Sequence, residues 1–379
     1  MKKVIIIGGG IGGLCAAIAF QKKGLEAHIY EKVPQIKGLG AGITLSINAG
    51  QALKQIGLYE LLIEAGQELK SMSILDEKGK NIAHTNLGPV SKRYGLGNFS
   101  IHRAALHEIL LAKLVEGSLH CGKSFAQFSQ DEEGVQVYFE DGAEVQGDVL
   151  LAFDGIHSAV RRQMFPDSQI RYSGYTCWRA VIDYLPEGEP CHATETWGRG
   201  KRFGLVPLAD GKLYWFATAN ASENDAHMKN MGIRTLQQFY SDFHQPIEQV
   251  LEMTTEDQLI WNDITDLKPL DHYCLGKVAL AGDAAHATTP NMGQGAGMAI
   301  EDAVILARLL SEKEVRPALK EYEIARIKRT QAIVNNSYRL GAVAQWEKRW
   351  LRSFRNAAFR MIPVSAQERQ MRQLYEVEL

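Results

Sequence analysis

Three glycine-bearing segments, far apart in a chain of 379 residues, carry the residue types that handle phosphate, sugar and flat rings. The first is Gly8-Gly9-Gly10-Ile11-Gly12-Gly13, with Glu31 downstream. Gly8, Gly10 and Gly13 have the G-x-G-x-x-G spacing: one glycine for a tight turn, one for backbone approach to a pyrophosphate, one for close packing of helix on strand. Glu31 falls near the place where that fingerprint has an acid on a ribose hydroxyl, and an acid suits an unphosphorylated ribose, in FAD or NAD. The competing reading is a plain strand–helix turn with Glu31 on the surface. The second segment is Asp154-Gly155-Ile156-His157-Ser158-Ala159-Val160-Arg161. The third is Gly282-Asp283-Ala284-Ala285-His286, running on to Pro290-Asn291-Met292-Gly293-Gln294-Gly295-Ala296-Gly297. Asp283 is a short acceptor suited to a sugar-alcohol hydroxyl such as those of a flavin's ribityl chain. A helix N-cap would also explain Asp283, but not the glycine run after it.

These residues need elements to position them. Val4 to Ile7 reads as a buried parallel strand feeding the first glycines. A helix from Leu14 to Lys23 follows, closed by Gly24, with its N–H groups and positive dipole end toward phosphates. Glu26 to Tyr30 is a second strand ending at Glu31. Val278 to Ala281 is another, and it delivers Gly282-Asp283 at its carboxyl end, where open α/β sheets bind ligands. The helix Met298 to Leu310, opened by the glycine run, presents first-turn N–H groups that can stabilise a reduced, anionic isoalloxazine.

In this order and separation, the three motifs resemble those of the single-component FAD-dependent aromatic-ring hydroxylases, which share the p-hydroxybenzoate hydroxylase fold. The likeness spans nearly the whole chain. Tyr172-Ser173-Gly174-Tyr175-Thr176-Cys177-Trp178-Arg179 and Pro290 to Gly295 are most similar to the salicylate hydroxylase, urate hydroxylase and zeaxanthin epoxidase branch. The resemblance implies an α/β fold: a discontinuous Rossmann-type FAD-binding domain (1–70, 98–168 and 271–340), a sheet-and-helix substrate domain (71–97 and 169–270) and a C-terminal helical tail (341–379). It implies cofactor contacts from Gly8, Gly10, Ile11, Gly12, Gly13, Glu31 and Lys32, and from Arg103, which reaches the FAD from the second segment. Gly40, Ala41 and Gly42 belong to the loop beside the isoalloxazine. Asp154 and Gly155 serve both FAD and the nicotinamide, while Gly282, Asp283, Gly293, Gln294, Gly295 and Ala296 complete the site, and Pro290 lies at the reactive flavin edge. Phe153 departs from the pattern, standing where a small residue is usual.

The implied activity is monooxygenation. NADPH or NADH reduces the flavin, O2 gives a C4a-hydroperoxide, and an electron-rich aromatic or heteroaromatic small molecule is hydroxylated or epoxidised. Arg179, Arg202, Tyr214 and Trp215 lie in strand-like runs expected to face the substrate; an arginine can pair a carboxylate or phenolate, and a tyrosine can orient a ring hydroxyl. Ordinary strand residues with solvated tips are the competing reading for each. Arg179 replaces a polar amide of the urate-hydroxylating members, which speaks against urate. His286 and His157 sit in flavin-binding motifs and are read as packing residues, not bases. The alternatives are an FAD-dependent reductase or dehydrogenase that does not activate O2, and a non-enzymatic partner-binding protein on the same fold.

Composition sets the remaining bounds. A formal net charge of −2 gives no electrostatic case for nucleic acid. Cys15, Cys121, Cys177, Cys191 and Cys274 are scattered and odd in number, reading as reduced thiols of a cytoplasmic protein, with no metal-ligand spacing. The two lysines before Val4 precede a run broken by glycines, unlike a signal peptide, and no run reaches the ~20 apolar residues of a membrane span. An antiparallel meander is expected over 119–153 around Asp141-Gly142, a hairpin over Ser73 to His84, and a helix over Arg234 to Met253. In the tail, Trp346, Trp350, Phe354, Ala357, Ala358 and Met361 recur at helical spacing among arginines. That stripe is expected to dock on its own domain; association with a membrane surface is the lesser reading. Oligomeric state stays open.

Overall fold

In the computed structural model, which describes residues 2–36, 38, 41–186 and 190–379, the apolar run Lys3–Ile7 lies near the middle of a six-stranded sheet. Val4, Ile5 and Ile6 are wholly buried, as expected of a parallel strand covered on both faces. Glu26–Glu31 pairs parallel on one side and Val149–Ala152 on the other. Leu119–Cys121 and Val278–Leu280 extend the sheet, also parallel, and Cys274–Leu275 closes one edge antiparallel. In register, Ile7 is the partner of Ala152, and Ala152 of Leu280. The strands leading into the three glycine motifs therefore end side by side, which is how segments so distant in sequence come to share one cleft.

Helix Ile11–Lys22 packs along helix Gly295–Glu312, and the long helix Val315–Ala344 packs on the latter as well. Phe125–Gln130, Val135–Phe139 and Glu144–Gly147 form the expected antiparallel meander. The Ser71–Asp76 and Asn81–Asn86 hairpin is also present. It joins a second, seven-stranded sheet whose order continues through His192–Trp197, Lys201–Pro207, Leu213–Asn220 and Ile170–Ile182 to Ile260–Leu267.

Strand pleat gives this second sheet two different faces. Trp178, Ala180, Ile182, Phe203, Leu213, Trp215 and Ala217 point to one side and are buried under helices Ile233–Phe239 and Ile247–Glu252. Cys177, Arg179, Tyr214, Phe216, Arg202 and Glu195 point to the other, facing the glycine motifs. The single helix expected over Arg234 to Met253 is two helices, since Pro246, without an N–H, interrupts the ladder between them.

The tail departs from expectation in two ways. Helix Val315–Ala344 runs through the boundary placed at Gly341, and only then do helices Arg349–Arg360 and Val364–Tyr375 follow. The aromatic stripe does not dock: Trp350, Phe354 and Met361 are 67%, 65% and 80% exposed, and the helix is held by its opposite face. Among the described residues no helix is long and apolar enough to cross a membrane. All five cysteines are unpaired.

Candidate functional site

The first glycine motif is built as its spacing predicts. Gly8 has φ +106°, and a Cβ there would collide with the Phe153 carbonyl. A Cβ on Gly13 would collide with the Gly8 carbonyl, so only glycine permits the helix to pack this closely. Gly10 is different: a Cβ there would meet nothing within 4 Å, leaving open space over the N-terminus of helix Ile11–Lys22. No side chain caps that helix, so its first N–H groups are available to an anion. Glu31 accepts hydrogen bonds from the Gly9 N–H (2.6 Å) and the Val33 N–H (3.0 Å), bracing the turn while one lone pair on each oxygen stays available. Lys32 is exposed beside it, Ile11 and Gly12 are buried, and Gly40 lies outside the described residues.

The second motif places Asp154 at the head of helix Ala159–Met164. Its Oδ2 accepts from the Ala159 N–H (2.8 Å) and more weakly from the Val160 N–H (3.4 Å), whereas its Oδ1 is buried without a partner. Burial pushes this carboxyl above its ordinary pKa. Arg161 is a tie: its guanidinium donates to the carbonyls of Ala284 (3.0 Å) and Ile156, fastening the second motif to the third. The Phe153 ring, unusual at its position, fills space left by Gly12, whose missing Cβ would press on it.

In the third motif Asp283 opens into the cleft yet lies among many protein atoms, as at the floor of a deep groove. That desolvation raises its carboxyl, against the pull of His286 and Arg103. It does not cap its helix: the N-cap is Gly282, with no side-chain bond. Helix Gly295–Glu312 is likewise uncapped, with Gly295 and Ala296 partly open in its first turn. Gln294 turns its side chain inward, accepting from Asn48 (2.9 Å) and donating to Ser46 (3.3 Å), which leaves only its backbone for the cleft. Pro290 is exposed on the loop that ends at Gly293, and Asn291 donates to the Ser337 carbonyl (2.9 Å) behind it.

Opposite stands the cleft-facing side of the seven-stranded sheet. Tyr214 packs directly on Gly42, where a Cβ would leave it no room, and Arg103 is hydrogen-bonded through its N–H to the Ala41 carbonyl (2.9 Å). Asp283, Arg179 and Tyr214 all lie near enough to act on the Arg103 guanidinium, so these four groups converge on the cleft. Burial pushes the Tyr214 phenol well above its usual pKa, keeping its hydroxyl protonated as a donor. Arg179 is partly open, with a buried Nε that has no partner.

Two other candidates sit differently. Arg202 is 3% exposed and held by Glu195 (2.9 Å), Asn291 (3.0 Å) and Thr218 (3.2 Å), tying the sheet to the Pro290 loop. Trp215, one residue along from Tyr214, must face the other way. It is wholly buried under the helices, donating to Thr254 (2.9 Å), and is not brought into the cleft.

Sequence reasoning missed the buried charges beneath the third motif. Asp302 accepts from the Gly282 N–H (2.8 Å), from His286 Nε2 (2.6 Å) and from Arg326 Nε (2.6 Å). Neighbouring Glu301 accepts from Asn48 (2.5 Å) and Arg329 (2.9 Å), and Arg326 Nη1 lies 2.6 Å away as a charge contact without hydrogen-bond alignment. Burial alone would raise the Asp302 carboxyl, but His286 and Arg326 hold it at about 2. His286 is thus engaged in shaping the Gly282 turn, and His157 is exposed. The available signal was two adjacent acids in the otherwise apolar run Met298 to Ala307. Among the described residues no cluster of histidine, cysteine and carboxylate side chains can hold a metal ion.

The donor set fits a dinucleotide that brings a pyrophosphate, sugar hydroxyls and a flat ring: open space at Gly10, an uncapped helix start, and an orphaned acceptor on Asp154. Comparisons with known proteins agree. A family model described as an FAD binding domain matches residues 1–337. The chain is 39% identical to aurachin C monooxygenase/isomerase of Stigmatella aurantiaca, over 95% of this chain and 94% of that protein. It is 33% identical to 2-heptyl-3-hydroxy-4(1H)-quinolone synthase of Pseudomonas aeruginosa, over 98% and 97%. Its fold superposes on Klebsiella pneumoniae HpxO, solved in complex with FAD and uric acid, with a TM-score of 0.92 at 29% identity, covering 99% and 96% of the two chains.

Proposed function

The chain belongs to the FAD-binding-domain family of flavin-dependent aromatic hydroxylases, and from that membership we propose how its own residues serve a monooxygenase reaction on a heteroaromatic ring. Bound FAD supplies electron transfer from NADH or NADPH and the activation of O2. Gly8 to Gly13 and the first-turn N–H groups of Ile11–Lys22 hold the pyrophosphate, and Glu31 takes a ribose hydroxyl while bracing the turn. Asp154 Oδ1 and Asp283 accept from hydroxyls, while Arg103 and the first turn of Gly295–Glu312 offer positive potential where charge develops.

The observation that carries the reading is the convergence of Arg103 and Asp283 from one side with Arg179 and Tyr214 from the other. Substrate lies between them. Arg179 pairs a ring carbonyl or ionised hydroxyl, Tyr214 donates to a second polar atom, and Phe216 with Cys177 supplies an apolar wall. The quinolone named for one relative is a nitrogen heterocycle with a ring carbonyl, which suits this pairing, whereas Arg179 in place of an amide speaks against uric acid. The tight contact of Tyr214 on Gly42 helps to exclude water, limiting loss of reducing equivalents as peroxide.

The test is NAD(P)H oxidation by the flavin-loaded protein with a panel of quinolones, phenols, aromatic acids and purines, repeated with Arg179→Ala. The accepted compound accelerates oxidation and yields a hydroxylated product. Losing a charged hydrogen bond of about 1.5–3 kcal/mol raises its KM by roughly tenfold to a hundredfold in the variant, flavin content unchanged. An unchanged KM removes Arg179 from the site.

A further inference from the structure

The Arg349–Arg360 helix wears its amphipathicity inside out. Its inward face carries Arg352, Arg355 and Arg360 together with one aromatic contact, Phe359. Arg352 pairs with Glu77, Arg355 donates to the Ala344 carbonyl (2.7 Å) with its guanidinium 4.9 Å above the Trp197 ring, and Phe359 meets the same ring edge-on at 5.1 Å. Arg360 reaches Asp76 and the Asn81 carbonyl. These contacts fix the helix in rotation. They leave Trp350, Phe354, Ala357 and Met361, at spacings of four, seven and eleven from the first, along a single outward line. Ile362 follows, also exposed.

A scattered exposed aromatic needs no explanation, but a continuous apolar line on a rigidly held helix marks a surface meant to be covered. Charge indicates what covers it. The helix holds four arginines and no acid. Arg352 and Arg360 are paired and Arg355 is buried, so Lys348 and Arg349 stand uncompensated among the described ion pairs at its start. A second copy in a two-fold contact would present an identical helix of four arginines and no acid, leaving the basic residues without a carboxylate to meet. An anionic lipid surface accepts both features: tryptophan and phenylalanine settle at the headgroup boundary while lysine and arginine meet lipid charge.

We propose that the Arg349–Arg360 helix is a peripheral membrane-binding face, which lies flat on bilayers bearing anionic lipid and seats Trp350, Phe354 and Met361 in the interface. No spanning segment is involved. Trp350, Phe354 and Met361 are exposed and take no part in the proposed cofactor and substrate contacts, so binding does not depend on turnover.

Co-sedimentation of the FAD-loaded protein with vesicles of phosphatidylcholine alone, and of phosphatidylcholine with about a third phosphatidylglycerol, tests this directly. Binding is expected to the anionic vesicles, weakened by raised salt. The double variant Trp350→Ser/Phe354→Ser, altered only at exposed positions, is expected to lose about tenfold or more of that binding, with flavin content and Tm retained. Lys348→Glu/Arg349→Glu should lose it as well. Absence of binding to anionic vesicles, or binding untouched by both variants, overturns the proposal. So does a concentration-dependent dimer that the Trp350→Ser/Phe354→Ser variant dissociates, because a second copy would then be the occupant.

Discussion

Asp154, proposed to accept from a cofactor hydroxyl, shows how such a residue weighs on the protein without its partner. One carboxylate oxygen organises the start of Ala159–Met164, and the other is buried with nothing to accept from. Its folded pKa is raised, chiefly by burial, so the folded chain holds that proton more tightly than the unfolded chain does. The sign follows: ionisation costs stability, increasingly as pH rises past the ordinary carboxylate value, until a donor arrives. Asp154→Asn keeps an acceptor for the Ala159 amide and removes the charge. The apo variant should therefore melt no lower than wild type at neutral pH. Its FAD dissociation constant should rise about tenfold or more, the worth of a charged hydrogen bond. Calorimetry on the apo protein and flavin fluorescence titration check the two halves. An unaltered FAD affinity would take Oδ1 out of the cofactor site.

Among elements, the one that matters most is the join between the Gly282 turn and helices Gly295–Glu312 and Val315–Ala344. Asp302 anchors it, bonded to the Gly282 N–H, His286 and Arg326 with almost no contact with water. Its folded pKa of about 2 lies below the ordinary 3.8. The stability it contributes is thus complete above about pH 4 and lost as pH falls toward 2. Asp302→Asn leaves Arg326 buried with Glu301 as its remaining charge partner. Urea unfolding should show a loss of about 3 kcal/mol or more at neutral pH, and a shallower decline between pH 4 and 2 than in wild type. A variant as stable as wild type would contradict the join's importance. Beyond the adjacent Glu301 and Asp302, this network was hidden from sequence reasoning, because His286 and Arg326 lie on other helices at no spacing that links them to the acids. The glycine turns were legible for the opposite reason: each works by local backbone geometry, so spacing alone carries the signal. The choice between Tyr214 and Trp215 had to wait for the strand's orientation, since adjacent residues always face opposite sides.

At the scale of the whole molecule, two sheets bring their different faces to one cleft. The six-stranded sheet contributes three loops at adjacent strand ends; the seven-stranded sheet contributes Arg179 and Tyr214 from its uncovered face. Arg202 and Asn291 bridge the two at the Pro290 loop, which is thereby tied to the seven-stranded sheet. The most direct test of monooxygenation is to run the reaction under isotopically labelled O2, with NAD(P)H and the compound that most accelerates its oxidation. The account predicts a single labelled oxygen atom in the ring product, with NAD(P)H consumed in nearly equal amount. Recovery of all the reduced oxygen as hydrogen peroxide, with no label in any ring compound, would contradict it and leave a flavin reductase in its place.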